Sequence, residues 1–157
     1  MAVSVDAFFT RLNPVMRAIL QSPLHPLLSR WLLLLTFTGR QSGRRFTIPV
    51  GYQLEGDGVL TVTASEAPKK QWWKNHRERA PVEILLRGEK RTGTARLLDP
   101  GSEEFRDCAE QTLRRVPAMA RVWDIDFDRE RGLTDVQAAT LAEGIAAVRV
   151  QLDPALG

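Results

Sequence analysis

Gly39-Arg40-Gln41-Ser42-Gly43-Arg44-Arg45 stands between two apolar, β-prone runs, Trp31 to Phe37 and Phe46 to Leu54. Arginine carries a planar fork of donors that matches phosphate or carboxylate. Two glycines in one short turn permit backbone angles that other residues resist, so successive N–H groups can point into one concavity. Ser42 adds a hydroxyl, and Gln41 adds hydrogen-bonding groups without charge. The chemistry such a turn offers is an anion cradle. A Gly/Ser/Arg cluster between strands is often only a solvated hairpin, but the charge around this one argues otherwise. From Ala7 to Leu54 the chain has no Asp or Glu, while it carries Arg11, Arg17, Arg30, Arg40, Arg44 and Arg45. A block of one sign is not a salt-bridged face; it attracts something negative. Neither G-x-x-x-x-G-K-[ST] nor G-x-G-x-x-G is present, so a P-loop and a dinucleotide fingerprint are both unsupported.

A second constellation is Lys69-Lys70-Gln71-Trp72-Trp73-Lys74-Asn75-His76-Arg77. Adjacent tryptophans cannot share one helix face, so the expectation is that one enters the core and the other lines a pocket or contacts solvent. A flat aromatic ligand can lie against an indole while the cations hold its anionic arm.

Other reactive side chains are few. The single cysteine, Cys108, lies among Glu104, Asp107 and Glu110, which oppose a thiolate, and reads as a small buried hydrophobe. The two histidines, His25 and His76, have no partner at metal-ligand spacing and no nucleophile-elbow context. Asp124, Asp126 and Asp128 resemble the start of a calcium loop, but Arg129 follows where spacing toward the required glycine should continue, and Ile125 and Phe127 look buried. No metal is expected.

The elements that must position these groups follow from periodicity. Phe8, Phe9, Leu12, Met16, Ile19 and Leu20 recur at helical spacing, with Asn13-Pro14 and Ser22-Pro23 as helix starts. Strands are expected at about 31–39 and 45–54. Glu55-Gly56-Asp57-Gly58 is a hairpin turn into the alternating run Val59 to Ala64. Lys69 to Arg79 reads as a short helix ended near Ala80-Pro81. Val82 to Leu86 and Arg91 to Leu98 form a hairpin about Arg87-Gly88-Glu89. Ser102 opens a helix with Glu103 and Glu104 in its first turn and Arg114-Arg115 in its last, both suited to the helix dipole. Thr134 with Gln137 forms a capping box for another helix that stops at Gly144, and Ile145 to Leu152 is a closing strand. The sum is α+β, a small barrel of about six mostly antiparallel strands with flanking helices.

At 157 residues, 43% apolar and 26% charged, the chain fits one globular domain over 1–157, with residues 1–30 as a helical segment packing on the barrel. One cysteine and no signal-peptide pattern suit a reducing cytoplasm. Residues 116–157 hold seven acids against four arginines, so the basic front faces an acidic end. No recognition helix or RNP-like aromatic pattern points to nucleic acid. The N-terminal helix, with Arg11 and Arg17 beside its apolar residues, leaves peripheral membrane contact open.

The run Thr36 to Val50, T-F-T-G-R-Q-S-G-R-R-F-T-I-P-V, followed by Ala64-Ser65 and then Trp72-Trp73-Lys74-Asn75, resembles the signature of the deazaflavin-dependent nitroreductase and quinone reductase family. The resemblance covers about Leu32 to Leu98. It implies a split β-barrel related to FMN-binding barrels. It also implies coenzyme F-420, an 8-hydroxy-5-deazaflavin, as cofactor, with FMN or haem as alternatives on the same barrel. The implied activity is hydride transfer from the reduced cofactor to a small-molecule quinone, nitroaromatic or enone-like acceptor, by a monomer or homodimer; a non-catalytic deazaflavin carrier is the other possibility. The implied contacts are Arg40, Gln41, Ser42, Gly43, Arg44 and Arg45 on the phosphate-bearing arm, and Pro49, Val50, Ala64, Ser65, Trp72, Trp73 and Asn75 around the ring. Tyr52 is the nearest proton donor in sequence. Gln41 and Phe46 stand where the family usually has Lys and Arg, and Glu66 where a small or basic residue is common.

Overall fold

The structure, a computed structural model, describes residues 14–27, 29 and 31–154. Six strands close into one antiparallel barrel: β1 (Leu32–Thr38), β2 (Arg45–Gly56), β3 (Val59–Ala64), β4 (Ala80–Leu86), β5 (Glu89–Leu97) and β6 (Ala146–Leu152), in the order β1-β2-β3-β6-β5-β4. Alternation places Leu33, Leu35, Phe37, Val50, Leu60, Val62, Val82, Ile84, Val148 and Val150 inside. Each such side chain contributes about 1.5–3 kcal/mol on burial. The hairpin turns fall at Asp57-Gly58 and Arg87-Gly88, where every one of the four residues takes a positive φ.

Two departures from regular pairing matter. β3 pairs with β2 only over Tyr52–Gly56, so residues 45–51 of β2 have β1 as their sole strand partner among the described residues. Pro49, which has no N–H to offer a ladder, lies in that half-paired stretch. The barrel is closed between β1 and β4 by three pairs, Leu34↔Leu85, Leu35↔Ile84 and Thr36↔Glu83.

In chain order the helices are α1 (residues 14–20), α2 (Glu103–Arg115), α3 (Met119–Val122) and α4 (Asp135–Gly144), and α2 to α4 build a second core on the outside of β6. Leu98, Phe105, Cys108, Leu113, Trp123, Leu141 and Ile145 fill it. β6 therefore serves two cores, with Val148 and Val150 on one face and Ala147 on the other. Ser102 caps α2 through Phe105 N at 3.1 Å, and Thr134 and Gln137 form the expected reciprocal capping box on α4. Cys108 is buried, and desolvation, with Glu55 adding to it, pushes its thiol up to about 11.

Local expectations needed correction in two places. Lys69–Arg79 is not an α-helix but two 3-10 turns, Ala67–Lys69 and Trp72–His76, since the N–H groups of Lys74 and Arg77 reach back three residues to Gln71 and Lys74. Ser22-Pro23 opens only the three-residue 3-10 turn His25–Leu27, because Ser22 Oγ accepts from Leu24 N rather than capping a longer helix. Phe8, Phe9, Leu12 and Asn13 lie outside the described residues. No helix among the described residues is long and apolar enough to cross a membrane.

Candidate active site

Between β1 and β2 the chain makes a compact turn. Gly39 N donates to Arg44 O at 2.8 Å, Gly43 N donates to Gly39 O at 2.9 Å, and Ser42 Oγ accepts from Arg44 N at 3.2 Å. The two glycines have different reasons. Gly43 sits at φ 69°, where a side chain is strained. Gly39 is needed for space: a Cβ there would lie 2.8 Å from the Phe46 ring and 3.0 Å from Ser42 Oγ. Phe46 in turn stacks on Phe37 with centroids 5.7 Å apart, and the Arg44 guanidinium lies 5.9 Å over its ring. The position where the resemblance led one to expect an arginine thus holds an aromatic shelf that carries one.

The turn is tied to the tryptophan segment. Arg40 N donates to Asn75 Oδ1 at 2.7 Å, with Arg40 Nη1 at 3.4 Å from the same oxygen, and Asn75 Nδ2 donates to Trp72 O at 2.9 Å. Trp73 Nε1 donates to Ala67 O at 2.8 Å, while Lys74 and Arg77 lie 5.7 and 5.5 Å from its ring centroid. Contrary to the expected division of labour, both indoles are half-buried; they pack on the barrel core and on the small cluster Ala64, Ala67 and Ala146.

Arg40, Gln41, Ser42, Gly43, Arg44 and Arg45 are all exposed. Arg45 is partly spoken for by Glu83, 2.6 Å away. Val50 points into the core, while Thr47 and Pro49 line a cleft of about 310 Å³ against Pro14, Arg17, Ala18 and Gln21 of the α1 region. Ala64 ends β3 and Ser65 follows it, beyond the last β2–β3 pair at Tyr52↔Val62. Tyr52 is not brought to this end of the barrel. Its hydroxyl donates to Ser29 O and accepts from Arg87 Nε at 3.2 Å, before β1 begins, whereas the Gly39 turn follows β1.

Two residues to which sequence reasoning gave no place in the site lie beside it. His76 is fully buried with neither ring nitrogen partnered, edge-on to Phe37 and Trp72, and burial lowers its pKa to about 4. Trp123 donates from Nε1 to Ser65 Oγ at 3.0 Å. No local pattern marks either role. Asp128 is used in a turn, accepting from Glu130 N at 2.8 Å and Arg131 N at 3.3 Å, and these N–H groups hold its carboxyl below the ordinary range.

The profile of the F420H(2)-dependent quinone reductase family matches residues 21–130, most of the chain, including both the Gly39–Arg45 turn and the tryptophan segment. The chain belongs to this family. It is accordingly an F-420-dependent, hydride-transferring oxidoreductase. No curated protein matches it. Among solved structures it is similar to an F420-H2 dependent reductase, FDR-A (21% identity, TM-score 0.53, covering 77% of this chain and 94% of that one). A protein described as a domain-swapped dimer is similar at 20% identity and TM-score 0.54, covering 92% and 98%. The haem-storage protein HutZ of Vibrio cholerae matches at 13% identity and TM-score 0.51, covering 86% and 92%. At these identities the structures attest the split-barrel fold shared by members of the F420H(2)-dependent quinone reductase family and haem-binding proteins alike.

The residues present suit a deazaflavin with an anionic tail. Exposed Arg40 and Arg44, with Lys74 and Arg77 on the facing turn, supply cations. The half-paired edge of β2 leaves backbone donors and acceptors for a heterocycle, and Thr47 and Pro49 line the cleft beside it.

Proposed function

We propose that the chain binds F-420 across the open corner between β2 and the end of β3 and delivers hydride to a quinone-type acceptor there. The reading rests on one observation above all: the Arg40–Asn75 hydrogen bond joins the anion-binding turn to the tryptophan segment, making one surface from two distant motifs. The reduced cofactor, when bound, supplies the hydride. The protein's part is positional. Arg40 and Arg44 hold the phosphate-bearing arm, with Ser42, Gly43 and Gln41 adding hydrogen bonds. Arg45 contributes less, because Glu83 draws its charge aside. The edge of β2 at Pro49–Val50 and the corner at Ala64–Ser65 bracket the ring, while Trp72 and Trp73, braced through Asn75 and Ala67, close the site against water.

The proton that accompanies reduction of a quinone oxygen is assigned to solvent rather than to Tyr52, since that hydroxyl serves the Ser29 carbonyl. Tyr52→Phe should then change kcat by less than about twofold, as expected for a group that binds neither reactant.

The test is anaerobic titration of the purified protein with F-420, FMN and haem, followed by turnover of reduced F-420 with menadione or a nitroaromatic. Saturable F-420 binding with oxidation of the reduced form supports the reading. Binding without turnover across these acceptors would indicate a carrier, and preference for FMN or haem would move the cofactor assignment.

A further inference from the structure

Trp123 follows the last residue of α3 and is 8% exposed within the helical core, yet its indole leaves that core's purely apolar company. Nε1 reaches Ser65 Oγ at 3.0 Å, across 58 positions of sequence. An indole N–H only donates, so the serine oxygen is the acceptor. That fixes the sense of the hydroxyl. One lone pair is taken, the hydroxyl proton cannot be returned to Trp123, and no other partner for Ser65 Oγ exists among the described residues.

The surrounding turn is held firmly enough for this direction to matter. Ala64 pairs with Ala146 in the sheet, Glu66 adopts the left-handed conformation at φ 50°, and Trp73 Nε1 grips Ala67 O at 2.8 Å. Two indoles from different elements thus donate to one four-residue corner. A buried tryptophan needs some acceptor for its N–H, and a backbone carbonyl would satisfy that need. Here a serine hydroxyl just past the end of β3 is used instead, and its own proton remains available to a further acceptor.

We infer that Trp123 is a positioning residue that orients the Ser65 hydroxyl as a hydrogen-bond donor to the F-420 ring system. The inference rests on the cofactor placement proposed above. Trp123 itself touches neither reactant; it acts by removing the alternative directions of one rotor.

The experiment compares wild type, Ser65→Ala, Ser65→Thr, Trp123→Phe and the Ser65→Ala/Trp123→Phe double variant by fluorescence titration with F-420 and by thermal melting. Ser65→Ala and Trp123→Phe should each raise Kd by about three- to tenfold, the range of one hydrogen bond, and the double variant by no more than the larger single. Ser65→Thr, which keeps the hydroxyl, should stay within about twofold of wild type. An unchanged Kd in Trp123→Phe, or multiplicative losses in the double variant, would overturn the inference, because a merely structural tryptophan lowers the melting temperature without this coupling. Should Trp123→Phe fail to fold, the assigned Trp123 indole N–H resonance decides. It should move when F-420 is added to wild type and not when it is added to Ser65→Ala; a resonance static in both overturns the inference. Wild type that does not bind F-420 removes the placement itself, whereas binding without coupling removes only the role of Trp123.

Discussion

Arg40 and Asn75, 35 positions apart, are joined by a 2.7 Å hydrogen bond from the Arg40 backbone N–H to the Asn75 carboxamide oxygen. Because the donor is backbone, the bond fixes the path of the turn, and the guanidinium leans on the same oxygen more loosely, with Nη1 at 3.4 Å. The other end of the carboxamide holds the Trp72 carbonyl. Asn75→Ala removes both contacts, and a loss near 1–1.5 kcal/mol corresponds to about tenfold weaker F-420 binding. Asn75→Asp keeps the acceptor for Arg40 but loses the donor to Trp72, so its Kd should lie between the two. Fluorescence titration checks the order.

His76 makes stability depend on pH. Its folded pKa, about 4, lies below the ordinary 6.5 because burial disfavours the imidazolium, and neither nitrogen has a partner to offset that. Between those values the unfolded chain takes up a proton that the fold refuses. Stability from this source is therefore complete above pH 6.5 and is lost as pH falls toward 4, by up to about 3 kcal/mol. Urea denaturation at pH 7.5 and 4.5 should show the drop, and His76→Leu should reduce it.

The two glycines of the turn should respond differently. Gly39→Ala collides with the Phe46 ring and should cost about 1–3 kcal/mol while shifting Arg44's shelf, so F-420 affinity falls too. Gly43→Ala meets nothing within 4 Å but adopts φ 69°, costing about 1–2 kcal/mol of backbone strain. Gly43→Asn, which tolerates that conformation better, should recover part of the loss. Equal effects of Asn and Ala at position 43 in denaturant melts would contradict this.

Arg44 and Arg45 are neighbours with unequal freedom. Arg44→Ala should weaken F-420 binding more than Arg45→Ala, and the double variant should flatten the salt dependence of Kd. Glu83→Gln releases Arg45 from its ion pair, and should tighten binding by about two- to threefold at low salt, an exposed pair being worth less than about 1 kcal/mol. Loss of affinity in Glu83→Gln would show that the pair organises the turn instead.

Much of the barrel was legible because its signals are local. Glu55 to Gly58 and Arg87-Gly88 announce hairpins, alternation in Val59–Ala64 gives the inward face, and Thr134 with Gln137 marks a helix start within four residues. The turn between β1 and β2 was legible for the same reason, as composition over seven residues. What escaped was set by contacts between segments far apart in sequence. Nothing near Tyr52 says that its hydroxyl turns to Ser29, nothing near Arg45 names Glu83, and Trp123 reads as one more core aromatic until β3 and α3 are seen to meet. The tryptophan segment fell between these cases. Its composition marked a break between strands, but the choice between an α-helix and 3-10 turns depends on docking against Ala64 and Ala146, which propensity does not encode.

The three-pair ladder between β1 and β4 makes the barrel a sheet rolled up and fastened along its shortest margin. The Arg45–Glu83 pair spans the same margin, with Glu83 itself the last rung opposite Thr36. An anion that competes for Arg45 at the mouth therefore works on the fastening as well as on the turn, and occupancy is written into the breathing of the wall. Deuterium uptake at Leu34, Leu35 and Thr36 would register that occupancy from inside the barrel, at amides no ligand needs to touch.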